Sequence, residues 1–167
     1  HNCAFIKIKK DYPLHARRVM HAIWGAGQMS WTKTIVVVDH DVDVHDEAAV
    51  LRAVGESCIP ARDSELVRGP IDILDHAAPF LGGGGKIGLD ATRKSAASET
   101  HRVLDNTQRQ LCDAGPIVAV LGSAARETEE SVRALQGVLD ARVPQEFGGW
   151  WLLVRLAKEH AGEGARI

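Results

Sequence analysis

Thr34-Ile35-Val36-Val37-Val38 runs without a polar break into Asp39-His40-Asp41-Val42-Asp43-Val44-His45-Asp46. A continuous β-branched run of this length predicts a strand buried on both faces of a parallel or mixed sheet, and the acidic residues behind it predict a loop at the strand's carboxyl end. Asp43 or Asp46 is placed to cap a helix in which Ala49, Val50, Ala53 and Val54 share one face, with Gly55 as its stop. Strand, loop and helix in this order predict the α/β class: a single, three-layer-like domain whose mixed, largely parallel sheet is flanked by helices.

Upstream, Cys3-Ala4-Phe5-Ile6-Lys7-Ile8 reads as a first strand. Pro13 suits the first turn of a helix carrying Ala16, Val19, Met20, Ile23 and Trp24 at three- and four-residue spacing, and Gly25 and Gly27 end it. Downstream, residues 57–88 hold Pro60, Pro70, Pro79 and four consecutive glycines, and are expected to be mostly loop with short strands. A helix is expected over 99–112, a buried strand over 116–121 and a long helix over 125–142, on which Val132, Leu135, Val138 and Leu139 recur at helical spacing. Trp150-Trp151-Leu152-Leu153-Val154 is expected to form a strand or a docked terminal element that continues through Arg155 and Leu156.

A chain of 167 residues with 45% hydrophobic and 25% charged residues is long enough for one domain with its own core. A net charge of -2 offers no general attraction to nucleic acid or anionic membranes, so no nucleic-acid partner is expected. Cys3, Cys58 and Cys112 are odd in number and far apart, which fits a reducing cytoplasm rather than a disulfide scaffold or a zinc site. The apolar runs fall far short of the ~20 residues that span a bilayer, and no charged-then-apolar leader is read at the amino terminus. The chain starts on His1 with strand-like sequence almost at once, as a piece of a longer protein does.

The run 39–46 offers six oxygen or nitrogen ligands in eight residues, but it is no calcium loop. Val44 stands where the sharp turn needs glycine and Val50 where a bidentate glutamate belongs. The plainer reading of these acids is helix capping and a solvated strand end. Gly82 to Gly85 followed by Lys86 resembles a phosphate loop, yet Phe80 and Ile87 occupy positions that need glycine and a hydroxyl. Gly83, Gly85 and Gly88 satisfy G-x-G-x-x-G without a clear strand before or helix after. No serine sits in a nucleophile elbow, because a glycine two places after Ser123 is missing. By chemistry alone the residues define an α/β domain without a catalytic constellation.

Four ordered blocks say more. They are Ile6-Lys7-Ile8-Lys9-Lys10-Asp11-Tyr12-Pro13-Leu14-His15-Ala16-Arg17-Arg18-Val19-Met20; Trp31-Thr32-Lys33-Thr34 continuing to Asp43; Ile71-Asp72-Ile73-Leu74-Asp75-His76-Ala77-Ala78-Pro79; and Gly85-Lys86-Ile87-Gly88-Leu89-Asp90-Ala91-Thr92-Arg93-Lys94. In order and spacing they resemble the carboxy-terminal region of the UbiD family of decarboxylases (3-octaprenyl-4-hydroxybenzoate carboxy-lyase-like), and within it the quinone-biosynthesis branch. The resemblance covers residues 1–95 as a UbiD-like core, with 96–167 as a divergent tail of the same domain.

The resemblance implies a carboxy-lyase that depends on prenylated FMN and Mn2+ when intact and removes carbon dioxide from a small hydroxylated aromatic acid. It also implies that the acid–base residues and the ligands for manganese and flavin phosphate lie on a preceding flavin-binding domain. No catalytic residue and no metal ligand is therefore expected in this chain, no cofactor is expected on it alone, and it is expected to be inactive by itself. Its implied contribution is a wall of the substrate and cofactor cleft, with Gly25, Gly27, Gln28 and Met29 as candidates: glycines admit close approach, Gln28 can hydrogen-bond and Met29 adapts. Asp41, Asp43, Arg62, Asp63, Asp75 and Lys86 become candidates for a structural polar network, in which an Arg62–carboxylate pair would fix a loop. The expected partners are its own amino-terminal domain and further copies of itself, with Trp150 and Trp151 as interface or core residues and at most peripheral membrane association through a lipophilic substrate. The competing readings are a stand-alone anion- or nucleotide-binding module using Gly82 to Gly88, and a purely structural assembly domain.

Overall fold

A computed structural model describes residues 2–94 and 121–157. The chain divides into two compact units, His1–Ala114 and Gly115–Ile167. The boundary expected at 95/96, the helix expected over 99–112 and the strand residues 116–120 lie outside the described residues.

In the first unit β1 (Cys3–Ile8), α1 (His15–Trp24), a 3-10 turn (Gly27–Trp31), β2 (Thr34–Asp39), α2 (Glu47–Ser57), α3 (Pro60–Asp63), β3 (Ser64–Pro70) and β4 (Gly83–Asp90) follow in order. The sheet order is β1-β2-β4-β3. β1 and β4 flank β2 in parallel, with Phe5 opposite Val36 and Leu89 on its other side, and β3 closes on β4 antiparallel, with Val67 opposite Lys86. This is the mixed, largely parallel sheet flanked by helices that the β2 run predicts. Ile35 through Val38 are buried, as a central strand requires.

Alternation along the strands divides the two faces. Ala16 and Met20 of α1 pack with Ile35 and Val37, and Ile6, Ile8, Ile23 and Trp24 close around them. The same face includes Gly88, where an added Cβ would lie 2.5 Å from the Met20 sulfur and 3.2 Å from the Trp24 ring. Glu65 of β3 also points to this face, since it meets Arg17 of α1 at 2.8 Å.

Several local expectations change. Pro13 precedes α1 instead of opening it, because Leu14 takes a left-handed conformation (φ 63) and the helix begins at His15. Asp46 does cap α2, accepting from Ala48 N and Ala49 N at 2.9 and 3.2 Å. Gly55 does not stop that helix, which continues to Ser57 until the Cys58 N–H closes on Val54 O.

Residues 57–88 are not mostly loop. Gly83, Gly84 and Gly85 open an eight-residue strand whose backbone is committed to β3. At Gly83 and Gly84 neighbours occupy the side-chain space: an added Cβ would sit 2.2 Å from the Phe80 ring at Gly83 and 2.6 Å from Ile71 at Gly84. These glycines therefore do not form a loop closing on a phosphate, and the nucleotide-module reading of Gly82 to Gly88 loses its structural basis.

The second unit holds α4 (Leu121–Arg133), β5 (Val138–Arg142), a 3-10 turn (Gln145–Phe147) and β6 (Leu153–Leu156), with β5 and β6 antiparallel. The expected helix over 125–142 ends at Arg133, for Gly137 turns the chain at φ 84, and Val138 and Leu139 belong to a strand. Glu129 accepts from the Val143 N–H at 2.6 Å and Arg133 meets Asp140 at 3.2 Å, tying helix to hairpin. The terminal strand begins at Leu153, and Trp150 and Trp151 before it are half-buried.

Candidate functional site

At the carboxyl ends of β2 and β4 the chain gathers its densest charge. Asp63 closes α3 and is almost fully buried, and the Arg62 guanidinium donates to it with Nε–Oδ1 and Nη2–Oδ2 both 2.7 Å. Oδ2 also accepts from the Ile59 N–H at 2.7 Å. Lys94 Nζ lies 3.7 Å from that carboxylate and 3.2 Å from Asp90 Oδ1, and donates to the carbonyls of Asp90 and Ser57. Asp90 completes the cluster by accepting from Thr92 N at 3.0 Å and Thr92 Oγ1 at 2.6 Å. Carboxylates this deep persist because they are paired and hydrogen-bonded several times over. Half-buried Cys58 lies in the field of this cluster, and burial first, then the Asp63 charge, push its thiol up to about 11. The thiol therefore stays protonated and unreactive.

Beside this cluster Arg93 bridges Asp39 and Asp41, with Nε 3.0 Å from Asp39 Oδ2 and Nη2 on Asp41 Oδ1. The hydrogen bond from Arg93 holds the Asp41 carboxyl below its ordinary range, and the two acids hold the guanidinium still more firmly charged. Asp43 stands apart and accepts from the His45 N–H at 3.0 Å. Among the described residues no three His, Cys, Asp or Glu side chains converge on a point where a metal could sit.

The opposite end of the sheet carries the remaining candidates. Lys33 Nζ is 2.7 Å from Asp75 Oδ2, and that hydrogen bond lowers the Asp75 pKa. Lys86, 4% exposed, donates to Ser30 O with its ammonium 6.0 Å from the Trp24 ring, and burial lowers its pKa. Trp24 Nε1 donates to Thr32 O at 3.0 Å, whereas the buried Thr32 Oγ1 has no partner among the described residues. Gly25, Gly27, Gln28 and Met29 form the connection from α1 into the 3-10 turn; the first three are exposed and Met29 is half-buried.

The six polar-network candidates therefore fall into separate places. Arg62 and Asp63 pair together, Asp41 joins Arg93, Asp75 joins Lys33, Lys86 turns to Ser30 and Asp43 caps a turn. The sequence alone does not single out Asp39, Asp90, Thr92, Arg93 and Lys94 for the network. An aspartate ending an apolar strand two residues before a threonine was the available signal for Asp90 and Thr92.

The first unit is thus an α/β domain braced by ion pairs at both ends of a central parallel strand, with no metal-binding set among its described residues. The chain belongs to the UbiD family: the family's 3-octaprenyl-4-hydroxybenzoate carboxy-lyase C-terminal domain matches residues 1–91. A protein of Archaeoglobus fulgidus is 50% identical over 95 residues, which cover 56% of this chain and 20% of that protein. One of Aquifex aeolicus is 49% identical over 94 residues, 56% of this chain and 19% of its own length. The chain thus spans about a fifth of the curated relatives it matches. The UbiD-class enzyme HmfF of Pelotomaculum thermopropionicum, solved with FMN, is 27% identical at a TM-score of 0.52 over 67% of this chain and 26% of that one. Vanillic acid decarboxylase of Sedimentibacter hydroxybenzoicus in its closed form shares the fold, at 22% identity and a TM-score of 0.55 over 65% of this chain and 26% of its own. Among the described residues no helix is long and apolar enough to cross a membrane.

Proposed function

We propose that this chain is the carboxy-terminal part of a non-oxidative carboxy-lyase of a hydroxylated aromatic acid, of the quinone-biosynthesis type. The observation that carries the reading is the match of residues 1–91 to the family's carboxy-terminal domain. Chemistry belongs to an amino-terminal flavin-binding domain of the intact protein, where prenylated FMN supplies the electron sink for carbon dioxide loss and Mn2+ the charge that holds it. None of the described residues is assigned to the metal.

The part assigned to this chain is a cleft wall. The exposed turn at Gly25, Gly27 and Gln28, with Met29 half-buried behind it, presents backbone, an amide and a thioether to a flat ligand without carrying charge. The Trp24–Thr32 hydrogen bond braces the turn at both ends. The polar clusters are structural. Oligomer formation, a cytoplasmic location and at most peripheral membrane contact complete the reading, with the second unit and its half-buried Trp150 and Trp151 as an assembly surface.

The test is carbon dioxide release from hydroxybenzoates by the intact protein loaded with prenylated FMN. Gln28→Ala and Met29→Ala are expected to raise KM at least threefold while the fold is kept, and the 167-residue chain alone is expected to be inactive. Turnover by the chain alone, or full activity in both variants, overturns the reading.

A further inference from the structure

The face of the sheet opposite α1 is partly open. Thr34, Ile87 and Leu66 stand in one cross-strand row of β2, β4 and β3, and Gly85 and Arg68 stand opposite each other in the next row of β4 and β3. Together with Lys33, Val67 and Lys86 they line an open groove of about 350 Å³. Leu66 is 76% exposed there, and a Cβ added at Gly85 would meet nothing within 4 Å. The floor at Gly85 is therefore flat backbone, bounded along the strands by the Leu66–Ile87 pair.

Its charge comes from Arg68, since Lys86 alternates to the α1 face beside Trp24, and no acid lines the groove. Lys33 is held by Asp75 and Lys86 by Ser30, whereas the exposed Arg68 side chain makes no hydrogen bond or ion pair among the described residues. A guanidinium beside an apolar floor recognises a group that is anionic at one end and apolar at the other, because the planar fork takes a carboxylate by two parallel hydrogen bonds. The volume lies at the small end of the range for ligand sites, about 300–1,000 Å³.

We infer that this groove binds a small organic monoanion, its charged end on Arg68 and a compact apolar body over Gly85 against the neighbouring Leu66–Ile87 pair. This goes beyond the decarboxylase reading and does not rest on it. It also differs from a phosphate loop, for the anion is held by a side chain and not by glycine amides.

The experiment is titration of the isotope-labelled chain with cyclohexanecarboxylate, followed by NMR at the Gly85 and Ile87 amides and Arg68 Nε. Neutral cyclohexylmethanol and inorganic phosphate serve as controls. Saturable shifts at these three groups are expected for the carboxylate, weakened roughly tenfold by Arg68→Gln, as the loss of a charge-assisted fork implies. Gly85→Val fills the floor in open space, so the spectrum of the fold should persist while affinity falls at least fivefold. No saturable shift, equal binding of phosphate or of the neutral alcohol, or unchanged affinity in either variant overturns the inference.

Discussion

Arg62 and Asp63 are neighbours in the chain and yet bind each other by a two-pronged contact, both N–O distances 2.7 Å, with Asp63 nearly excluded from solvent. Adjacent residues rarely reach each other within regular structure, because they point in different directions from a helix or strand. The pairing is possible because α3 is only four residues long and gives way at once to β3.

Removing either partner leaves a charge without its fork in a poorly solvated place. Arg62→Ala or Asp63→Ala should lower the unfolding free energy by about 3 kcal/mol, read from urea denaturation. Arg62→Lys should recover only part of that loss, since an ammonium cannot fork. A loss below about 0.5 kcal/mol would place the pair among ordinary surface ion pairs.

Gly88 is held to glycine by Met20, whose sulfur lies 2.5 Å from where a Cβ would stand. Gly88→Ala should cost about 1–3 kcal/mol through overpacking. Combined with Met20→Ala, the added cost should shrink, giving a coupling of at least about 0.5 kcal/mol in a double-mutant cycle. Strict additivity would mean that the two sites do not touch.

Leu14 sits at φ 63 and is 58% exposed, so it carries left-handed strain while burying little. Asparagine tolerates that conformation far better. Leu14→Asn should raise the thermal midpoint by a few degrees, in line with roughly 0.5–1 kcal/mol of relieved strain, whereas β-branched Leu14→Val should lower it. A lower midpoint for the asparagine variant would contradict this.

Thr32 is fully buried with its hydroxyl unpartnered among the described residues. Thr32→Val keeps the shape and removes the unmet donor, so the denaturation midpoint should rise by an amount worth about 1 kcal/mol. A clear fall would show that the hydroxyl has a partner after all.

Burial and the Asp63 charge raise the Cys58 thiol from 9.0 to about 11, which predicts slow alkylation by iodoacetamide at pH 8 in the native chain and rapid alkylation after unfolding. The native state then binds a proton that the unfolded state releases between these two values. Stability contributed by Cys58 is complete below the lower value and is lost as pH climbs through the upper one. Cys58→Ala should flatten the alkaline decline in stability relative to the parent chain. An unchanged slope would assign the decline to other groups.

The sequence reveals what is local and conceals what is not. β2 is legible because every residue from Ile35 to Val38 is apolar, and the α2 start because Asp46 stands one residue before the helix. β4 is not legible, since its glycines look like a loop until Ile71, Phe80 and Met20 are seen in the space their side chains would need. The spacing of Val138 and Leu139 carries the expected second-unit helix past its end, although Gly137 marks the break. Arg62's need for a carboxylate was foreseeable. That Asp41 would take Arg93, 52 positions away, depends on the sheet register that sets Asp90 opposite Val37 and so brings Arg93 alongside Asp39 at the end of β2.

One property of the sheet order governs how the first unit is assembled as it is made. β3 emerges before β4, but reaches β2 only through β4, which inserts between them. Until Gly83 to Asp90 are available, β3 lacks the native edge on which it pairs. Closure of this sheet therefore waits for β4, and a chain that lacks it leaves one edge of β2 and one edge of β3 unpaired.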